Sequence, residues 1–329
     1  MKEIIGFEEE FSSILDQLLN NKLHNSVLLS GNKGIGKNYF FTQLIKQYIR
    51  QNIENNQIQH HLSLINNNSH PNIVYVKKET DEKTKKQRNF IIIDQIRKLY
   101  QFCVETSVIE NIPKFILIDS ADDLNLNSSN ALLKILEEPK QNTYFFLVSH
   151  QPSLLLPTIK SRCLKVNLPN HNYDNFNEII QKFNTDIDEE TNKFLFDITN
   201  GSPGLITNYK FDEIINIFDK FIYLILDENP FTENNNEIIK ILSDFENEKL
   251  KIYLSLIKFI LITINKIKLG INITENYLSK SILKIETISD KISIDLIQKK
   301  LDYLINNEND LFTFNLDKKI FMINFITEK

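Results

Sequence analysis

The pattern of apolar and polar positions divides the chain into an alternating first half and a helical second half. Short apolar runs, separated by stretches of helical periodicity, predict strands at 26–30, 72–76, 114–119, 144–149 and 164–168. Farther along, apolar positions recur only at helical spacing, over 211–226, 236–267 and 294–305. Strands that alternate with helices are typical of an α/β domain with a parallel sheet, and the remainder predicts all-α structure.

Turn-forming residues mark two boundaries in this pattern. Pro169-Asn170 follows the last predicted strand, and Gly201-Ser202-Pro203-Gly204 is the densest turn cluster of the second half. We therefore predict an α/β domain at 1–165, a small helical domain at 166–209 and an all-α domain at 210–329. The last domain carries more apolar surface than one thin layer of helices buries internally, so we expect it to form oligomer contacts.

Composition narrows the class of protein. The chain has 329 residues, a formal net charge of -5 and a pI near 5.8, which argue against a broad basic surface for nucleic acid and allow only local contacts. The apolar stretch 250–261 is interrupted by Lys251, Ser255 and Lys258 and is too short to cross a bilayer, so we interpret it as a buried helix. Asparagine runs at 66–68 and 234–236 predict loops.

The cysteine content and the first residues indicate a cytoplasmic protein. Cys103 and Cys163 are the only cysteines and form no CxxC pair, so neither a disulfide framework nor a cysteine zinc site is supported. The sequence reaches the acidic run 8–10 at once and has no apolar signal core before it, so we do not expect secretion.

A glycine-rich segment follows the first predicted strand and precedes a helical pattern. The segment 31–38 fits the phosphate-binding spacing GxxxxGK[ST] except at its last position. Gly31, Gly34 and Gly36 allow backbone N–H groups to wrap around phosphate oxygens, and Lys37 adds a positive charge. Asn38 places an amide where the motif has a hydroxyl that binds Mg²⁺, which weakens the case for metal-assisted binding. An unliganded turn is the alternative interpretation.

The third predicted strand ends in a carboxylate. Residues 115–119 have the form of a Walker B strand, whose aspartate, here Asp119, helps to hold Mg²⁺ in nucleoside triphosphatases. The next residue is Ser120, which cannot act as a base at neutral pH. Asp122 and Asp123 follow closely, and we interpret them as capping residues of a solvated turn ahead of a helix. These residues predict that the chain does not hydrolyse ATP by itself.

Two further motifs carry a family resemblance. The segment 130–139 reads NALLKILEEP, a helix closed by proline, and 161–163 reads SRC. Together with the glycine-rich segment, they closely resemble bacterial clamp-loader subunits of DNA polymerase III, which are AAA+ proteins. Within that family, Asp119-Ser120 without a glutamate and 201–205 without an arginine are similar to the delta-prime type. The resemblance implies a P-loop domain with a RecA-like parallel sheet, then a helical lid domain and an all-α C-terminal collar domain.

The resemblance also implies roles for residues and partners. Arg162 would act in trans as a finger that reaches the γ-phosphate of ATP held by a neighbouring subunit, with Ser161 and Cys163 at the same interface. Ser149 lies where polar sensor-1 residues lie in related folds. The implied partners are hydrolysing gamma/tau-type and delta-type subunits, with the sliding clamp and primed DNA reached through the complex, and no membrane. The chain itself would have neither ATPase nor polymerase activity and would require no cofactor, although weak binding of ATP or ADP with Mg²⁺ fits the loop.

Other interpretations remain open at this point. An active AAA+ ATPase, such as the motor subunit of a clamp loader, would use a displaced acid such as Asp122. A nucleotide-free interaction module would pair Lys37 with a carboxylate. Arg162, for its part, has Glu137 and Glu138 as candidate salt-bridge partners within the chain.

One departure from the family concerns metal. Many members carry a four-cysteine zinc module between the phosphate loop and the Walker B strand, whereas no cysteine lies between Lys37 and Lys98 here. His60, His61 and His70 fall in this region. Without thiolates, we expect them to be surface histidines in loops, and we expect no zinc.

Overall fold

The computed structural model describes residues 4–80, 88–106, 109, 111–183, 187–206, 220–221, 224–225, 229–271, 285–286 and 289–328. The chain forms two compact units, Met1–Asn175 and Phe176–Lys329. The three-domain division stays a prediction, because its second boundary, between 209 and 210, lies outside the described residues. Among the helices of the described ranges, none has the length and apolar character needed to cross a membrane.

The first unit is built on a five-stranded parallel sheet. Its strands are β1 (Ser26–Ser30), β2 (Ile73–Val76), β3 (Lys114–Asp119), β4 (Thr143–Ser149) and β5 (Leu164–Asn167). They lie in the order β2-β3-β4-β1-β5, and every pair is parallel. Inner strands of a parallel sheet are covered on both faces, which explains why β3 and β4 are continuous apolar runs. The α/β class and the five predicted strands are confirmed, each strand end within one residue.

Helices cover both faces of this sheet. They are α1 (Glu8–Leu19), α2 (Lys37–Asn52), α3 (Asn55–Asn66), α4 (Ile93–Val104), α5 (Leu126–Glu137) and α6 (Pro157–Lys160), with a 3₁₀ turn at Ala121–Asp123. Because successive side chains of a strand point to opposite faces, Phe145 and Phe146 of β4 enter different cores. Phe146 lies against Phe41 of α2, with ring centroids 5.1 Å apart. Phe145 packs in the core that contains Leu99 of α4 and Leu132 of α5.

Beyond β5 the described elements are all helical. They are α7 (Tyr173–Phe183), α8 (Glu189–Thr199), α9 (Glu233–Asp244), α10 (Asn247–Lys268), α11 (Ile294–Thr313) and α12 (Lys318–Thr327), with a 3₁₀ turn at Pro203–Leu205. One apolar core contains Phe194 of α8, Tyr253 of α10 and Phe325 of α12. The stretch 250–261 lies within α10 and contributes heavily to this core, as predicted. Of the predicted helical stretch 211–226, only 220–221 and 224–225 are described.

Two details of the second unit differ from the sequence pattern. The stretch 236–267 comprises two helices, because Phe245 and Glu246 have extended backbone between α9 and α10. The loop predicted at 234–236 is wrong, since these residues belong to the first turns of α9. Asn235 is buried there, and its Nδ2 donates to the carbonyl oxygen of Asn229 at 2.9 Å. This hydrogen bond offsets the low helix propensity of asparagine.

Buried lysines cap the carbonyl ends of helices. Lys300 of α11 is fully buried, and its Nζ donates to the carbonyl oxygens of Phe325 (3.0 Å) and Ile326 (2.9 Å) at the end of α12. Lys114 of β3 likewise donates to carbonyl oxygens at the end of α4. The last carbonyls of a helix have no partner within it, so an ammonium group there replaces water inside the protein.

Replacement of Lys300 by methionine should destabilise the protein, because two buried carbonyl groups lose their donor while the apolar stem is kept. We expect the free energy of unfolding to fall by about 1–3 kcal/mol. Lys299→Met is the matched control, since Lys299 is 47% exposed and pairs with Asp295 on the surface. Urea titration of the full chain measures both changes. Equal stability of the two variants would show that the Lys300 ammonium caps nothing.

Candidate functional site

The predicted phosphate loop connects β1 to α2. Gly36, with a φ of 102°, directly precedes α2 and offers no side-chain cap, so the positive end of the helix is open to an anion. Gly31 lies against the end of β5, where a Cβ atom would be 2.3 Å from the carbonyl oxygen of Leu168. Only glycine fits at that position. The close approach holds the loop at the carboxyl edge of the sheet.

Lys37 is turned back onto its own loop. Its Nζ donates to the carbonyl oxygens of Gly31 (2.6 Å) and Asn32 (2.7 Å), and the side chain is buried. Burial lowers the pKa of Lys37 to about 8, although the charges of Asp119 and Asp122 oppose this shift. Lys37 is therefore mostly protonated at neutral pH, and a phosphate that enters the loop meets a positive charge.

His171 contacts the phosphate loop, and the sequence analysis did not predict this residue as part of the site. Its Nε2 donates to the carbonyl oxygen of Ile35 at 2.9 Å, and its ring packs on Phe7 with centroids 4.6 Å apart. Burial lowers the pKa of His171, so the imidazole is neutral at pH 7 and carries its proton on Nε2. No local motif marks this residue. The parallel pairing of β1 with β5 is what brings it to the loop.

Asn38 lies where the motif has a metal-binding hydroxyl. Its Nδ2 donates to Oδ2 of Asp119 at 3.0 Å. The structure thus brings these two predicted site residues together, but it pairs them with each other. The amide occupies an oxygen lone pair that the carboxylate would otherwise offer to Mg²⁺.

The residues that follow β3 form a hydrogen-bonded turn. Ser120 is buried, and its Oγ accepts from the backbone N–H of Asp122 at 3.1 Å. The Asp122 carboxylate accepts from Oγ of Ser149 at 2.6 Å. It also accepts from the backbone N–H groups of His150 and Gln151. Asp122 therefore ties the end of β4 to the end of β3. The helix cap that we expected from it is supplied instead by Asn125, whose side chain accepts from the backbone N–H of Ser128 at the start of α5.

Arg162 lies at the opposite edge of the sheet. It precedes β5 and lines an open surface depression of about 460 Å³ together with His24 and Asn25, which precede β1. The phosphate loop follows the other end of β1, five residues farther along. Five residues of a strand span about 17 Å. Arg162 therefore cannot reach the phosphate loop of its own chain.

The Arg162 side chain is paired within the chain. Its Nη2 donates to Oε1 of Glu137 at 2.6 Å, and its Nη1 donates to the carbonyl oxygen of Thr158 at 3.0 Å. The Arg162 and Glu137 side chains are 35% and 47% exposed. The salt bridge to Glu137 that the sequence left open is thus present. Surface ion pairs of this kind are weak, so this one is readily exchanged for another anion.

The two neighbours of Arg162 are anchored differently. Ser161 donates its hydroxyl proton to the carbonyl oxygen of Thr158 at 3.1 Å. Cys163 packs against the core between the sheet, α4 and α5. Burial raises the pKa of the Cys163 thiol to about 11, so it stays protonated and unreactive at neutral pH.

Two histidines that we expected on the surface are buried. His61 of α3 and His70 share a hydrogen bond of 3.1 Å between Nδ1 of His61 and Nε2 of His70. The backbone N–H of Asn72 donates to Nδ1 of His70, which leaves the His70 proton on Nε2 as the donor of that bond. Burial lowers the pKa of His70 to about 4, so the ring is neutral. Across the described ranges, no three His, Cys, Asp or Glu residues are grouped so that they could hold a metal ion.

Several known proteins are similar in sequence to this chain. The family described as DNA polymerase III, delta subunit, matches residues 7–172. The DNA polymerase III subunit delta' of Pseudomonas aeruginosa is 44% identical over 101 residues, which are 31% of this chain and 29% of that protein. The subunit delta' of Buchnera aphidicola is 26% identical over 239 residues, which are 70% of this chain and 68% of that protein.

One solved structure aligns with most of the chain. The gamma subunit-related protein of DNA polymerase III from Thermotoga maritima aligns over 95% of this chain and 97% of its own, with a TM-score of 0.44 and 16% identity. The family match is the firmer result, since it spans just over half of the chain and contains both the phosphate loop and Arg162. The chain therefore belongs to the family of DNA polymerase III delta subunits, within which its sequence motifs and these two relatives indicate the clamp-loader delta-prime type.

Proposed function

We propose that the chain is a non-hydrolysing subunit of a clamp loader and donates Arg162 to an ATP site on a neighbouring subunit. The observation that carries the proposal is the position of Arg162 at the amino edge of the sheet, across from the phosphate loop of its own chain. A guanidinium at that edge can serve only a phosphate that another chain holds. Its planar, permanent charge suits the charge that develops on a transferred phosphoryl group.

The contacts at the phosphate loop support nucleotide binding without hydrolysis. Ser120 stands where hydrolysing relatives have glutamate, and the Asn38 amide is bonded to Asp119. An active ATPase would need Asp122 in place of the missing glutamate. The Asp122 carboxylate instead accepts hydrogen bonds from the end of β4. Among the residues that the structure describes, Lys37 bonds to carbonyl oxygens of the loop and to no carboxylate, so it remains placed for a phosphate. Weak binding of ATP or ADP is the outcome that these contacts favour.

The exposed apolar surface of the second unit supports a role in assembly. Among the described residues of 210–329, the most exposed large apolar side chains are Phe231, Leu269, Ile305, Phe314 and Ile320. Such side chains gain free energy when a partner covers them. We propose that residues 210–329 of this unit form the collar that joins the chain to gamma/tau-type and delta-type subunits. The sliding clamp and primed DNA would be reached through the assembled complex.

The isolated chain should bind ATP weakly and turn over none above background. Because Lys37 loses its proton near pH 8, the affinity for ATP should fall as the pH rises through that value. The fall should approach about tenfold between about pH 7 and about pH 9, since a bound phosphate favours the protonated amine. Titration with a fluorescent ATP analogue and a phosphate-release assay measure the two properties. Lys37→Ala should abolish the pH dependence, and steady-state turnover that this variant removes would contradict the proposal.

Arg162→Ala should impair the partner and not the chain itself. We expect unchanged thermal stability and assembly, with DNA-stimulated ATP hydrolysis by the reconstituted complex lowered about tenfold or more, because a trans-acting finger stabilises phosphoryl charge. Arg162→Lys should rescue little, since an ammonium cannot reproduce the guanidinium fork. Arg50→Ala removes another arginine, in the last turn of α2, and should leave hydrolysis unchanged. If Arg162→Ala unfolds the chain, and its folded fraction still supports normal clamp loading, then Arg162 only forms a salt bridge within the chain and is not a finger.

The collar assignment predicts a selective loss of assembly. The triple variant Ile305→Ser, Phe314→Ser, Ile320→Ser should keep its helical circular dichroism but weaken association with the hydrolysing subunit at least about tenfold, since buried apolar side chains contribute about 1.5–3 kcal/mol each. Leu126→Ser with Leu154→Ser makes the same kind of change on the first unit, at side chains 65% and 67% exposed. If both variants co-purify equally well with the hydrolysing subunit, 210–329 is not the collar.

A further inference from the structure

Glu137 lies at the unfavourable end of a helix for a carboxylate. It is the last residue of α5, and Glu138 follows it as the C-cap. The carboxyl end of a helix carries partial negative charge, which repels anions and attracts cations. The first turn of α5, where an acidic side chain would be favourable, contains none. The local rules of helix stability therefore do not explain Glu137.

Arg162 supplies a positive charge at the carboxyl end of α5. The ion pair between Nη2 of Arg162 and Oε1 of Glu137, at 2.6 Å, forms part of the wall of the depression that His24, Asn25 and Pro139 also line. Both partners remain partly in solvent, so a second anion can approach the guanidinium without a change in the core. The other end of the fork donates to the Thr158 carbonyl and keeps Arg162 at this edge of the sheet.

We propose that Glu137 is a latch, which holds Arg162 in the unengaged subunit and releases it to the terminal phosphate of a nucleoside triphosphate on the neighbouring chain. The inference rests on the proposed role of Arg162. A terminal phosphate carries more negative charge than one carboxylate, and it offers three acceptor oxygens. It therefore displaces Glu137 from the guanidinium. Glu137 then moves into solvent, where it is already half-exposed, because the two anions repel each other.

The latch has a thermodynamic consequence. The ion pair stabilises only the unengaged state, so it opposes engagement by the amount that it contributes. A neighbour whose nucleotide has lost the terminal phosphate offers a weaker competitor, and Arg162 stays on Glu137. Glu137 is thus a positioning residue that makes delivery of the finger depend on the triphosphate.

The test uses the reconstituted complex of full-length subunits and measures the ATP concentration for half-maximal DNA-stimulated hydrolysis. Glu137→Gln should lower that concentration about two- to fivefold, the range that an exposed ion pair supplies. The rate at saturating ATP should change by less than about twofold, because the finger itself is intact. The difference between wild type and variant should shrink at high salt, which screens exposed charges.

Two controls separate the latch from a general charge effect. Glu138→Gln removes the same charge one residue farther along and should have no effect. In an Arg162→Ala background, Glu137→Gln should change nothing further, since the pair is already lost. The latch is wrong if Glu137→Gln raises the half-maximal concentration, or acts equally with and without Arg162. If Arg162→Ala alone leaves hydrolysis unchanged, the proposed function itself fails, and that result is distinct from either of these.

Discussion

The common direction of the five strands is the constraint on which the chemistry of the first unit depends. Side chains that follow strands collect at the carboxyl edge of the sheet, as the phosphate loop and Asp119 do. Side chains that precede strands collect at the amino edge, as His24 and Arg162 do. A parallel sheet cannot fold one edge onto the other. The chain therefore presents its glycine-rich loop and Arg162 at opposite edges of the sheet, and the role that we propose for Arg162 depends on this separation.

The carboxyl edge keeps the shape of a nucleotide site while its polar groups bind one another. Lys37 bonds to loop carbonyl oxygens, Asn38 to Asp119, and Ser149 to Asp122. Hydrolysis needs an acceptor that can take a proton from water and a carboxylate that can hold a metal ion. Both needs compete here with hydrogen bonds inside the protein. The backbone N–H groups of the loop, which a bound phosphate would contact, do not enter this competition.

Solvent exposure distinguishes the buried lysines, which bond to helix ends, from Arg162 at the surface. Lys300 and Lys114 donate to helix carbonyl groups inside the protein, where loss of a partner leaves an unsatisfied buried group. Arg162 makes a similar pair of contacts, with Glu137 and a carbonyl oxygen, but at the surface, where water replaces either partner at little cost. The same donor chemistry therefore gives fixed contacts in the core and an exchangeable contact at the edge.

Periodicity and spacing determined the strands, the helical second half, the phosphate loop and Asp119, because these features depend on residues close together in the sequence. Only the tertiary structure decided which polar groups meet. His171 reaches the phosphate loop through strand pairing, and the Nε2–H group of buried His70 donates its hydrogen bond to Nδ1 of His61. Glu137 was one of two candidate partners for Arg162 until the folded chain placed it at 2.6 Å. A hydrophobic pattern reports which face of an element is buried, whereas a hydrogen-bond partner is chosen by distance and direction between segments that the sequence alone does not bring together.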